Sequence, residues 1–237
     1  MTRDLLWRGM LAGILAAILS TLCARSLAEP QIDLAIAFEA AHAAHDMGGD
    51  HAEELVSRAT QKGAGLLTAL ALYGAAAGGL FSLVFAYGYG RIAKLGPRSF
   101  ALLLAVLAFL LVTVVPGLKY PQTPPAVGQH ETVGIRTAAY FAMIALSLGA
   151  AVIAGMLRAR LLQNRQAIDA TLLSVCAYGV MVILGQFLLP SIDEVPADFP
   201  ATLLWNFRMG SIATQLVLWA TIGIAFGLAA ERSMKRP

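Results

Sequence analysis

Charge is scarce in this sequence: of its 237 residues only 13% are Asp, Glu, Lys or Arg, while 58% are hydrophobic, and the mean hydropathy is +0.71. Soluble domains carry about 25% charged residues, so an ordinary soluble enzyme is excluded. Cysteine is scarcer still. Cys23 and Cys176 both fall inside apolar runs, which argues against a disulfide framework and a cysteine metal cage and leaves the redox compartment unreadable. No Gly-x-x-x-x-Gly-Lys-Ser/Thr occurs and there is no room for a nucleotide-binding domain, so P-loop ATP hydrolysis is excluded. Charge is also missing from the middle of every apolar run, so no proton relay of buried carboxylates is visible.

What is present is a series of apolar runs, at 5–28, 66–89, 99–118, 137–157, 170–190 and 210–230. Each approaches or exceeds the roughly 20 residues that a helix needs to cross a bilayer. The expected fold is an all-α integral membrane protein, a bundle of about six transmembrane helices forming a single membrane domain over 1–237. Between the runs, charge alternates. The N-terminus with Arg8, the segments 90–98 and 158–169, and the tail together hold eleven Lys or Arg against three Asp or Glu. The other side holds six against eleven. Basic residues in short loops stay on the cytoplasmic side, so both termini are expected there, with the loops 29–65, 119–136 and 191–209 outside. Arg3 and Arg8 ahead of an apolar stretch, with Ser26-Leu27-Ala28 behind it, also resemble a signal peptide, whose cleavage leaves five spans. Retention is the reading adopted, because 5–24 is itself a span's length and Arg8 can snorkel at its edge.

Gly9/Gly13, Gly74/Gly78 and Gly223/Gly227 each make a Gly-x-x-x-Gly, expected to pack helices closely within the bundle. Gln186 and Gln215, at membrane depth, read as interhelical glue.

Chemistry is confined to the outer loops. Glu39-Ala-Ala-His42-Ala-Ala-His45-Asp46 is followed by Asp50-His51-Ala-Glu53-Glu54, alternating imidazole with carboxylate. If 32–46 is helical, Glu39 and His42 share a face and His42 and His45 are neighbours one turn apart. Borderline divalent metals favour such donors, and hard cations would not need the imidazoles. A solvated acidic loop with incidental histidines explains the same residues equally well. Loop 119–136 carries Lys119, Tyr120, Pro121, Pro124 and Pro125, then Arg136, and its prolines exclude helix. Loop 191–209 carries Asp193, Glu194 and Asp198 between prolines, then Trp205 and Arg208 at the depth where interfacial aromatics sit. Glu194 and Asp198 can line a cation entrance, or pair with Lys119, Arg136 or Arg208.

These two proline-rich motifs resemble the CbtA family of probable cobalt transporter subunits. The likeness runs through Lys119-Tyr120-Pro121, Pro124-Pro125-Ala126-Val127-Gly128, Glu194-Val195-Pro196-Ala197-Asp198-Phe199-Pro200, and Leu204-Trp205 with Phe207-Arg208. It continues in Glu29-Pro30, Gly78-Gly79-Leu80-Phe81, Gly90-Arg91, and Leu218-Trp219 with Gly223, and so covers nearly the whole chain. The resemblance implies an integral protein of a bacterial cytoplasmic membrane acting with a small, single-span CbtB-like subunit that has a histidine-rich end. Family members often carry a longer histidine run in the first outer loop; here His42, His45 and His51 are interrupted, which weakens tight capture. Cobalt over nickel rests on the resemblance, because His and carboxylate ligands do not separate them.

The resulting expectation is uptake of divalent cobalt through the bilayer. His42, His45, Asp46 and His51 gather the ion, and Glu194 and Asp198 receive it at the mouth. No permanently bound cofactor, catalytic residue or nucleic-acid partner is expected. Two alternatives stay open: a non-transporting subunit that hands metal to a partner, and a membrane enzyme or assembly factor of the cell envelope. Against the latter, no catalytic set converges at a recognisable spacing.

Overall fold

The apolar runs fold as helices because a backbone in hydrocarbon must satisfy its own hydrogen bonds. A computed structural model describes residues 2–43 and 57–234, without the side chains of Ala43 and His130. In chain order the helices are α1 (Thr2–Leu27), α2 (Glu29–Ala43), α3 (Arg58–Gly88), α4 (Pro97–Lys119), α5 (Val133–Leu161), α6 (Ala167–Leu188) and α7 (Ala201–Met234). All but α2 are long and apolar enough to cross a membrane. Among the described residues the protein is all-helical, a membrane protein with six helices of spanning length.

Several helices run past the apolar runs that mark them. α3 begins at Arg58 and α7 at Ala201, so part of what reads as loop is helix projecting into polar surroundings. Hydropathy marks the crossing, whereas hydrogen bonding marks the helix. Two spans contain wider turns. In α4 a π-helical stretch, Phe109–Val114, ends two residues before Pro116. Proline lacks an N–H and clashes with the carbonyl four residues back, and a widened turn is the usual accommodation. In α3 the π-helical stretch Gln61–Gly65 contains Gly63 at φ −95°, ψ −105°, a kink near the start of the span.

The chain divides into two compact units, one of residues 1–109, 123–126 and 198–237, the other of 110–122 and 127–197. In the first, α1 and α3 run antiparallel with their glycines in register. A Cβ on Gly13 would lie 1.8 Å from the Gly74 carbonyl oxygen, and one on Gly78 would lie 2.1 Å from that of Gly9. The third glycine pair faces α4, where a Cβ on Gly223 would meet the Ala105 side chain at 2.5 Å. Phe85, Phe100 and Phe226 fill the core beside these contacts, with the Phe85 and Phe226 rings edge to face at 5.0 Å. Gln215 on α7 has a sealed Oε1 without a hydrogen-bond partner among the described residues.

The second unit is built on the α5–α6 hairpin. Ser147 and Tyr178 share a hydrogen bond of 3.0 Å, and Gly185 admits the Leu146 side chain. Most apolar side chains of α6 remain uncovered, Phe187 and Leu188 at 83% exposure, as suits a helix bathed in lipid.

Candidate functional site

α2 presents Ala35, Phe38 and His42 at helical spacing along one stripe. Ala35 is buried, and the Phe38 ring packs edge to face on Phe199 at 5.0 Å. Phe199 is buried between Pro196 and Pro200 in the segment leading into α7, and its anchorage brings the adjoining Asp198 against His42. His42 Nε2 and Asp198 Oδ2 lie 2.5 Å apart, joining residues 156 positions distant in sequence. The other ring nitrogen, Nδ1, is 2.9 Å from the Phe38 carbonyl oxygen, and the two rings pack at 4.1 Å. Both imidazole nitrogens therefore face oxygen acceptors. The doubly protonated ring satisfies both, whereas a neutral ring can donate at only one. The Asp198 carboxyl is held below its usual range by the hydrogen bond from His42 and by its own backbone N–H. Both side chains stay open to solvent, at 53% and 60% exposure.

Glu194 is placed differently. Its side chain is only 12% exposed, accepts the Gln129 N–H at 2.8 Å and lies 3.6 Å from the Arg136 guanidinium. Its carboxyl is held low by the Thr132 hydroxyl and the Gln129 N–H, then by the charge of Arg136. Arg136 also donates to the Gln129 carbonyl at 3.2 Å. Gly128, at φ +115°, closes this knot: a Cβ there would lie 1.9 Å from an Arg136 nitrogen. Of the two carboxylates expected at a mouth, Asp198 thus faces an imidazole in the first unit and Glu194 a guanidinium in the second.

The other motif residues hold backbone. Lys119 donates to the Gln186 carbonyl at the end of α6 at 2.5 Å, and the Tyr120 hydroxyl to the Pro190 carbonyl at 2.6 Å, a cation at a helix C-terminus as the dipole favours. Pro121, Pro124 and Pro125 lie in non-helical chain, with Pro124 buried. On α7, Trp205 is exposed, and Arg208 has a sealed Nε without a hydrogen-bond partner among the described residues.

His45, Asp46 and His51 lie outside the described residues. Among the described residues no three of His, Cys, Asp and Glu gather as a metal cage. Glu39 is exposed on α2. One ionic cluster went unforeseen: Arg58 pairs with Glu29 at 2.6 Å and with Asp33 at 3.4 Å, and Lys62 pairs with Asp33. Its signal was present as complementary i, i+4 pairs, Glu29/Asp33 and Arg58/Lys62.

A family model described as probable cobalt transporter subunit (CbtA) matches residues 2–231. No curated protein and no solved structure matches the chain.

Proposed function

The chain belongs to the CbtA family, and from that premise we propose that it takes up divalent cobalt across a bacterial cytoplasmic membrane, capturing the ion between His42 and Asp198 on the outer face. The observation that carries this is the short contact between His42 Nε2 and Asp198 Oδ2, made by side chains that solvent still reaches. A borderline dication takes the place of the proton between them. With bonds of about 2.1 Å, as imidazole and carboxylate make to such metals, cis ligands sit about 3.0 Å apart, so the pair opens by about half an ångström on binding. The Phe38 carbonyl, accepting from Nδ1, keeps the Nε2 lone pair directed at the ion, the orienting role a second partner plays for ligating histidines. His45, Asp46 and His51 follow in the chain as further ligands, and water completes the shell. Glu194 belongs in this reading to the architecture of the second unit.

Solvent-exposed ligands with water in the shell hold an ion loosely, which suits release into a path. A second reading is capture followed by delivery to a small CbtB-like subunit. It is favoured by the family's description as a subunit and by the lack of a three-ligand group among the described residues. Cobalt entry into vesicles containing the purified protein, with and without such a partner, separates the two. His42→Gln and Asp198→Asn should each lower uptake about tenfold, the scale of losing one ligand interaction. Undiminished uptake in both variants, at matched protein levels, would remove the pair from the mechanism.

A further inference from the structure

At the turn joining α5 to α6, a recess of about 560 Å³ is lined by Arg160, Leu161, Asn164, Arg165, Gln166 and Asp169. Two cations and one anion line it, yet no salt bridge forms among them. The neighbouring Arg158 behaves otherwise, its Nε donating to Thr171 at 2.9 Å. Three of the carbonyls at the end of α5 accept backbone hydrogen bonds: Arg158 from Leu162, Arg160 from Gln163, and Leu161 from Asn164 and Arg165. Just along α6, Ile168 and Leu172 are largely exposed apolar side chains, so the polar recess adjoins a surface made for acyl chains.

We propose that this recess binds the headgroup of an ethanolamine phospholipid. The phosphate diester lies between the guanidinium groups of Arg160 and Arg165, which suit it geometrically. The primary ammonium lies on Asp169, and the amides of Asn164 and Gln166 supply further hydrogen bonds. The charge pattern selects this lipid. An anionic headgroup without an amine leaves Asp169 opposed, and a choline headgroup cannot donate a hydrogen bond to it. A free phosphate makes the arginine contacts but leaves Ile168 and Leu172 uncovered. On the expected topology the bound lipid belongs to the inner leaflet, where basic recesses between helices take headgroups.

Lipid retention by the full-length protein in mild detergent, read by native mass spectrometry, tests the assignment. Phosphatidylethanolamine, phosphatidylglycerol and phosphatidylcholine with matched acyl chains are offered in turn, and inorganic phosphate serves as competitor. The wild type should retain the ethanolamine lipid about tenfold better than the other two. R160Q/R165Q should lose that retention, and R160K/R165K should keep part of it. Asp169→Asn, which removes no cation, should bring ethanolamine and glycerol lipids to equal retention, and it provides the test if the double variant does not fold. Equal retention of all three lipids by the wild type, or an unchanged preference in Asp169→Asn, overturns the proposal. Displacement of the lipid by millimolar phosphate would overturn the lipid in favour of a free anion.

Discussion

Asp198 and Glu194 are four positions apart and chemically alike, yet their surroundings give them different work. Asp198 pairs with an imidazole in the open, and Glu194 is folded against Arg136 and the Gln129 backbone at 12% exposure. Neutralising Glu194 to Gln removes the charge opposite Arg136 and replaces one acceptor oxygen by an amide donor, and donors left unpaired where side chains are mostly buried are costly. Glu194→Gln should therefore lower the thermal midpoint in detergent more than Asp198→Asn does, and removing Arg136 together with Glu194 should recover part of the loss. The pH dependence follows from the same contacts. Both carboxyls sit below their ordinary values, 4.5 for Glu194 and 3.8 for Asp198. A depressed folded value contributes stability that is present above the ordinary value and is lost as pH falls through the folded one. Acid titration of the thermal midpoint should accordingly show a drop below about pH 4.5 that is shallower in Glu194→Gln. An identical acid profile in that variant would mean that Glu194 contributes nothing to the fold. Sequence alone named Arg136 among possible partners of these carboxylates, because all carry charge in proline-rich loops. It did not single out the contact between His42 and Asp198, since a pair 156 residues apart leaves no periodic trace.

At the scale of helices, small residues decide how closely two spans approach. Hydrophobic burial does not drive association within lipid, so close packing must. Gly13 and Gly74 meet backbone to backbone, whereas a Cβ on Gly149 of α5 would meet nothing within 4 Å. Adding a side chain should thus give opposite results at the two kinds of site. Gly13→Leu or Gly74→Leu forces α1 and α3 apart and should cost ~1–3 kcal/mol or prevent folding. Gly149→Ala should be neutral or stabilising by up to ~1 kcal/mol, through helix propensity. Thermal unfolding of the three variants in one detergent measures the contrast, and destabilisation by Gly149→Ala would reveal a neighbour at that face. The spacing of the glycine pairs was legible in the sequence, as were the six spans, because both are local and periodic. Which helices the glycines join was not, since Gly-x-x-x-Gly has no partner code. Helix ends were also missed: α3 starts at Arg58, where polar residues conceal a helix tied down by Glu29 and Asp33 through long-range ion pairs.

For the whole molecule, function depends on which side of the membrane holds His42 and Asp198. Six spans return the chain to the side on which it started. The proposed topology puts the segments 90–98 and 158–169 and both termini on the cytoplasmic side, with the loops 29–65, 119–136 and 191–209 outside. That proposal rests on eleven basic residues against three acidic ones in the first group of segments, because cations in short loops resist translocation. In a variant without Cys23 and Cys176, single cysteines at Lys94 and Arg160 should resist an impermeant thiol reagent in intact cells, while cysteines at Ala126 and Ala197 should label. Each replaces at most one of the eleven cations, so the bias that orients the chain survives the substitution. Reversed labelling would put His42 and Asp198 in the cytoplasm. An exposed imidazole–carboxylate pair there collects ions from the cell interior, and uptake would give way to export as the direction in which this pair serves transport.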